Sequence, residues 1–283
     1  MHNETFYTNK NIKDTKLALI SDIHFNDKFN RKIFTNIIKQ IQKNKPNYIT
    51  IAGDILDTSN TTNLDDLKDF LITLTKISPT IVVIGNHDEK AGSMHNWTHV
   101  KNEKLIKLLN SIENLHYLND STFTKDNITF YGFNLSYNYY EVERETYESF
   151  CEEIKDLKCH TNKKTYNITL IHTPMNIYQY LEENKDSNLN NSDLILSGHM
   201  HNGCLPHTIA HFINKTFKST RGLVSPRRHM FPKHAQGRIY ERDGYVYQGI
   251  TKLSHSTKLF HYFDFLFQKK VQFIEIKQNK KCK

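Results

Sequence analysis

Three absences bound this 283-residue chain before any motif is read. No run of about 18 apolar residues occurs, so no segment is set up as a helix across a bilayer. The N-terminus, MHNETFYTNKNIKDTK, is polar and lacks the apolar heart of a secretory signal. Cysteine is scarce: Cys151, Cys159, Cys204 and Cys282 stand apart with no CxxC pair, which excludes a disulfide scaffold and a zinc ribbon. A reduced, cytoplasmic setting is the expectation, with attachment at a membrane surface as the second option. Apolar residues make up 37% of the chain, low for a globular protein, yet the 12% of aromatics supply bulk for a core and exclude wholesale disorder.

What is abundant is positive charge and histidine. Thirty-eight Lys and Arg against 30 Asp and Glu give a formal charge of +8, which favours anionic partners without dictating a fold. Sixteen histidines are present, and histidine is the commonest side-chain metal ligand. Apolar runs at 16–21, 48–52 and 80–84 read as buried strands. Between them, 28–45 and 64–77 carry apolar residues at helical spacing, and Pro46 stops the first. That rhythm predicts βαβ units and a parallel sheet. Further on, 100–112 is amphipathic, 115–118 and 128–133 look like strands, and 140–157 is acidic and helix-like. Strands are expected at 166–171 and 193–196 with a short helix at 175–181 between them, and closing strands at 245–253 and 271–276. The stretch 205–243 reads as irregular, basic and His-rich. With no internal repeat and no linker, one domain over 1–283 is expected, its motif core at 16–203.

Five of the expected strands run into polar clusters. These are Asp22-x-His24, Gly53-Asp54, Gly85-Asn86-His87-Asp88, His172, and Gly198-His199-x-His201. Sites in α/β sheets form at the carboxyl ends of strands, so all five are expected on one rim. Asp, His and Asn without thiolate form an oxygen–nitrogen donor set suited to Mn, Fe, Co or Zn. Seven candidate ligands (Asp22, His24, Asp54, Asn86, His172, His199 and His201) are too many for one tetrahedral ion, so two divalent ions are implied. Any one of these histidines alone is an ordinary loop residue; their order and company carry the inference.

The order DxH, GD, GNHD, a lone His and GHxH resembles the calcineurin-like metallophosphoesterase superfamily over Asp22 to His201. Gly198-His199-Met200-His201-Asn202-Gly203 with Pro206, and Gly249 to Ser254, is similar to a Firmicutes-type bacterial branch. The resemblance implies a four-layer α-β-β-α sandwich, two mixed sheets flanked by helices. It implies Asp22, His24, Asp54 and His201 on one metal, and Asp54, Asn86, His172 and His199 on the other, with Asp54 bridging. Mn, Fe or Zn are the expected ions. His87 would face the substrate, with Asp88 orienting its imidazole, and Asp57 would hydrogen-bond a metal ligand. The implied activity is phosphoric ester hydrolysis by a metal-activated water, on a mono- or diester. The serine/threonine phosphatase branch places an Arg before its GNHE motif; here that position is Ile84, which argues against that branch.

A small-molecule phosphate ester is the expected partner, with nucleic acid or anionic lipid as alternatives. The basic residues Arg221, Arg227, Arg228, His229, Lys233, His234 and Arg238 would bind such anions, or form a solvated loop. A nuclease on the same metal core, a pyrophosphatase acting on a lipid-linked nucleotide and a non-catalytic scaffold are the rival functions. The acidic residues of 140–157 are expected to form a water-facing side, and Cys204 a small packed side chain. Nothing in the sequence specifies an oligomer.

Overall fold

The apolar runs and the amphipathic stretches between them assemble into two six-stranded sheets with helices on their outer faces. The computed structural model describes residues 4–93, 96–142, 145–157, 159–160, 162–200, 237–239, 242–246 and 271–279. The first sheet is built from β1 (Glu4–Thr8), β2 (Thr15–Ile20), β3 (Tyr48–Ala52), β4 (Thr80–Val83), β7 (Leu115–Tyr117) and β14 (Gln272–Gln278), in the order β1-β14-β2-β3-β4-β7. β2, β3, β4 and β7 run parallel, and β14 is antiparallel to β2. The second sheet joins β8 (Ser121–Lys125), β9 (Ile128–Phe133), β10 (Tyr166–Ile171), β11 (Leu194–Ser197), β12 (Gly237–Ile239) and β13 (Gly244–Val246), in the order β12-β13-β11-β10-β9-β8. Its four central strands are parallel and its two edge strands antiparallel. A separate hairpin, β5 (Lys90–Ser93) with β6 (Asn96–His99), follows β4.

Helix α1 (Lys32–Asn44) buries Ile33, Phe34, Ile37 and Ile41, one apolar stripe at helical spacing. It ends where Lys45 turns left-handed and returns its N–H to Ile41, with Pro46 next in the chain. Helix α2 (Asp65–Ile77) buries Leu67, Phe70, Leu71 and Leu74. Phe34 stacks on Phe70 with centroids 4.0 Å apart, locking the two helices together. Helix α3 (Glu103–Ser111) starts at Asn102, whose side chain accepts the Leu105 N–H, and buries Leu105 and Leu109. These three helices cross between β2, β3, β4 and β7, as the sequence rhythm requires.

The strands of the second sheet divide their side chains by parity. Ile128, Phe130, Tyr166, Ile168, Leu170, Leu194 and Leu196 join the apolar cluster shared with the first sheet. Tyr131, Phe133, Ile171 and Ile195 face the other way, onto Phe150 and Ile154 of α4 (Tyr147–Ile154) and Ile177 and Leu181 of α5 (Ile177–Glu183). The order of layers is therefore helix, sheet, sheet, helix. Tyr48 helps join the sheets: its ring lies 5.1 Å from that of Phe130, and its hydroxyl donates to Asp126 at 2.9 Å.

The acidic stretch at 140–157 departs from the expected single helix. A π-helical turn at Asn138–Val142 comes first and α4 begins only at Tyr147, behind a Thr146 cap. Its acids are not all in water. Glu153 accepts bonds from the Ser136 N–H and hydroxyl, and Glu145 is 5% exposed. Within the stretch expected to be irregular, β12 forms as a short edge strand. Arg238 on it spreads over the Phe6 ring at 4.3 Å and donates to Thr5 O and Asp243, so it ties β12 to β1 and is not part of an open anion site. The other six basic residues named above, together with Cys204, Pro206 and Gly249 to Ser254, lie outside the described residues.

Candidate metal centre

The polar clusters sit at the carboxyl ends of β2, β3 and β4 in one sheet and of β10 and β11 in the other. The rim is thus shared by two sheets. Beyond the strand ends the chains keep pairing: the N–H groups of Asp22, His24 and Phe25 donate to the carbonyls of Gly53, Asp54 and Ile55 at 3.0, 3.0 and 2.8 Å. Asp22, His24, Asp54 and His199 have φ of 53°, 48°, 48° and 68°, the left-handed region that L-residues visit seldom. Four such residues among the candidate ligands mark strain held in place by the surrounding packing. Gly85 allows close approach, since a Cβ there would lie 2.3 Å from Asp54 Oδ1 and 2.7 Å from the His172 ring.

Asp54 lies at the middle. Its Oδ2 is 3.2 Å from His172 Nε2 and 3.7 Å from His24 Nε2, while its Oδ1 accepts the His87 N–H at 2.9 Å. It belongs to two tight groups of potential ligand atoms, one with His172 and His199 and one with Asp22 and His24, each within 4.8 Å. His172 Nδ1 faces Ala52 O at 2.7 Å and so carries a hydrogen, which leaves Nε2 as the atom that would meet an ion once it is deprotonated. His199 Nδ1 is 3.1 Å from His172 Nε2, and its backbone N–H donates to both Asp22 oxygens. This bond joins the first motif to the last across the two sheets.

The donor set fits two divalent ions. Asn86 Oδ1 is buried and has no hydrogen-bond partner among the described residues, an arrangement a ligated cation would satisfy. Asp22, His24, Asp54, His172 and His199 are each at most 5% exposed, and such a concentration of buried carboxylate needs compensating positive charge. Metal identity is left open by an oxygen–nitrogen set of this kind.

The electrostatics report the same compensation by protons. Burial works against the charged form of Asp54, but His172, His87 and His24 outweigh it and hold its carboxyl well below the usual range. Burial also opposes a charged His172, yet the Asp54 carboxylate raises it to about 9. A proton on His172 and a dication compete for one negative pocket, so ion binding releases protons. Burial lowers His87, and the nearby Lys90 charge adds to that.

The site residues divide as follows. Asp22, His24, Asp54, Asn86, His172 and His199 all lie on the rim, whereas His201 lies outside the described residues. Asp88 does not take the orienting role expected of it. Its two oxygens accept the N–H groups of Leu56 at 2.7 Å and Gly85 at 2.8 Å, so it braces the loop. Burial raises it to about 7, Asp54 adding to the effect. The group that orients His87 is the Asp57 carbonyl, 2.7 Å from Nδ1. The Asp57 carboxylate sits 3.8 Å from His24 Nδ1 and accepts from Asn26. Ile84, where an arginine would mark the serine/threonine phosphatases, is buried. Glu145, which no sequence motif marks, meets His199 Nε2 with its Oε1 at 3.1 Å.

A family model described as calcineurin-like phosphoesterase matches residues 15–203. An uncharacterized metallophosphoesterase of Campylobacter jejuni is 25% identical over 194 residues, 68% of this chain and 45% of the relative. The chain therefore spans less than half the length of that curated relative. Among solved structures, it is similar to phosphopantetheinyl hydrolase from Mycobacterium tuberculosis, at 14% identity and a TM-score of 0.38 over 66% of this chain and 83% of that one. A dimetal phosphatase from Danio rerio gives 14% identity and a TM-score of 0.39, over 66% and 82% of the two chains.

Proposed function

The chain belongs to the calcineurin-like phosphoesterase family, and from that membership we propose that it is a di-metal phosphoesterase acting on a small-molecule phosphate mono- or diester. The observation that supports this most is the placement of Asp54 Oδ2 between two groups of buried ligand atoms. Asp22, His24 and Asp54, with His201, would hold one ion; Asp54, Asn86, His172 and His199 would hold the other. Two bound dications of the Mn, Fe or Zn type supply Lewis acidity and lower the pKa of water toward neutrality.

The remaining residues are assigned by what they touch. His87 has Nδ1 committed to Asp57 O, which sets its tautomer and reserves Nε2 for proton chemistry. A neutral ring is its resting form, because burial lowers its pKa; an anionic phosphoryl group beside it reverses that pressure. Once protonated, Nε2 would donate to a phosphoryl oxygen or to the leaving oxygen. Asp88 and Asp57 keep the loop and the ring in place. Among the described residues no helix is long and apolar enough to cross a membrane.

The test is hydrolysis of para-nitrophenyl phosphate and bis-para-nitrophenyl phosphate by metal-free protein reloaded with Mn, Zn, Fe or Mg. Turnover that requires metal and vanishes in Asp54→Ala supports the proposal, and the preferred reporter distinguishes monoester from diester action. Wild-type protein that binds two ions and hydrolyses neither reporter, nor dinucleotides, would sink it in favour of a binding scaffold.

A further inference from the structure

We propose that Glu145 is a positioning residue for the second metal position, fixing the tautomer and orientation of His199. The inference rests on the di-metal reading above and concerns a residue outside all five sequence motifs. It starts from proton accounting. A carbonyl oxygen only accepts, so His172 carries a hydrogen on Nδ1, against Ala52 O. A carboxylate oxygen is likewise an acceptor, and the contact at 3.1 Å assigns the His199 hydrogen to Nε2, facing Glu145 Oε1. The two remaining nitrogens, His172 Nε2 and His199 Nδ1, then face each other at 3.1 Å. Once His172 Nε2 gives up its proton, both nitrogens would offer lone pairs to one cation. Turned to its other tautomer, His199 would present a hydrogen to the same place and oppose the ion.

The chain holds Glu145 for this task. Its residue is 5% exposed, a costly location for a carboxylate that does nothing. Its N–H donates to Tyr139 O at 2.8 Å, closing the bend after the π-helical turn. Its carbonyl accepts from Asn176 Nδ2 at 2.7 Å, and the same amide reaches the Tyr139 hydroxyl at 2.9 Å. Asn176, with φ of 64°, is itself held in the left-handed region at the start of α5. The Tyr140 ring flanks the pair, 5.4 Å from His199 and 6.1 Å from His172. The turn, the bend and the asparagine together aim one carboxylate at one ring nitrogen.

The experiment titrates Mn²⁺ into metal-free wild type, Glu145→Gln and Glu145→Ala by calorimetry, and reads the His199 ring by ¹⁵N NMR in the metal-free proteins. Wild type should take two ions and show the Nε2–H form of His199. Glu145→Ala should keep one site at wild-type affinity and weaken the other by about 10–100-fold, the usual effect of removing a carboxylate behind a ligating histidine. Its His199 should become a tautomer mixture. Glu145→Gln keeps an acceptor without the charge and should fall between, and it carries the test if the alanine variant unfolds. Unchanged second-site affinity in a folded variant would overturn the proposal. So would a loss beyond about 1000-fold, which would make Glu145 a ligand. If wild type binds fewer than two ions the di-metal reading fails, while the tautomer spectra still decide what Glu145 does to His199.

Discussion

Adding one methyl group at Gly198 should damage both stability and metal binding. The glycine is not in the left-handed region, so alanine there carries no backbone strain and its effect is steric. A Cβ would lie 1.9 Å from Ser21 Oγ, 2.7 Å from Ser21 Cβ and 2.6 Å from Asp22 Oδ2. Ordinary contact needs about 3.5 Å, so these atoms must retreat by roughly an ångström or more. Ser21 has nowhere to go: it is fully buried and its hydroxyl donates to Ala52 O at 2.7 Å. Overpacking of this kind costs about 1–3 kcal/mol, and loss of the hydroxyl bond adds about 1 kcal/mol. The sum, about 2–4 kcal/mol, should lower Tm by roughly 3–7 °C in a chain of this size. Differential scanning calorimetry of metal-free protein measures the first effect. Mn²⁺ titration measures the second, a weakening at the site that uses Asp22. Adding Ser21→Gly removes two of the three clashes, so the double variant should regain part of the stability without regaining affinity. A Gly198→Ala protein with wild-type Tm and wild-type metal affinity would refute the reasoning.

Two more outcomes follow from the site and its surroundings. His87→Ala should lower kcat by about 10²–10⁴-fold while both ions still bind; equal loss of metal would show that His87 is a ligand. His160 is buried against Thr169, its ring held by burial, with Lys10 assisting, at a pKa of about 4 instead of 6.5. The unfolded chain therefore takes up the proton first as pH falls, so stability is full above pH 6.5 and is lost between 6.5 and about 4. The gap corresponds to about 3 kcal/mol. Urea midpoints at pH 7.5 and 4.5 should converge in His160→Gln relative to wild type; an identical pH dependence in both would exclude this histidine as the cause.

The rim was legible because the strands that carry it are short, apolar and buried, and each stops at a Gly or a charged residue. Asp22, Asp54, His172 and His199 each lie within two residues of a strand end. Strands without that signal escaped. β1 lies in a polar N-terminus, and β8, reading STFTK, leaves four of its five residues exposed. The hairpin of β5 and β6 has too little apolar patterning to stand out. Asp88 misled because adjacency in sequence is not adjacency of side chains. On the short 3₁₀ turn at Asn86–Glu89 it points back to Leu56 and Gly85 while His87 turns to Asp57. Glu145 was hidden by its acidic neighbours, which together look like the wet side of one helix. The π-helical turn before it shifts the register, and only the fold brings residue 145 to residue 199. A carboxylate at the edge of a helical pattern interrupted by aromatics, Tyr139 and Tyr140 here, was the one available hint.

The most direct measurement is an anomalous difference map from crystals of the protein soaked in Mn²⁺. The account predicts two peaks about 3.5–4 Å apart, one on each side of Asp54 Oδ2, with Asn86 Oδ1, His172 Nε2 and His199 Nδ1 around one of them. A single peak, or peaks away from Asp54, would contradict it.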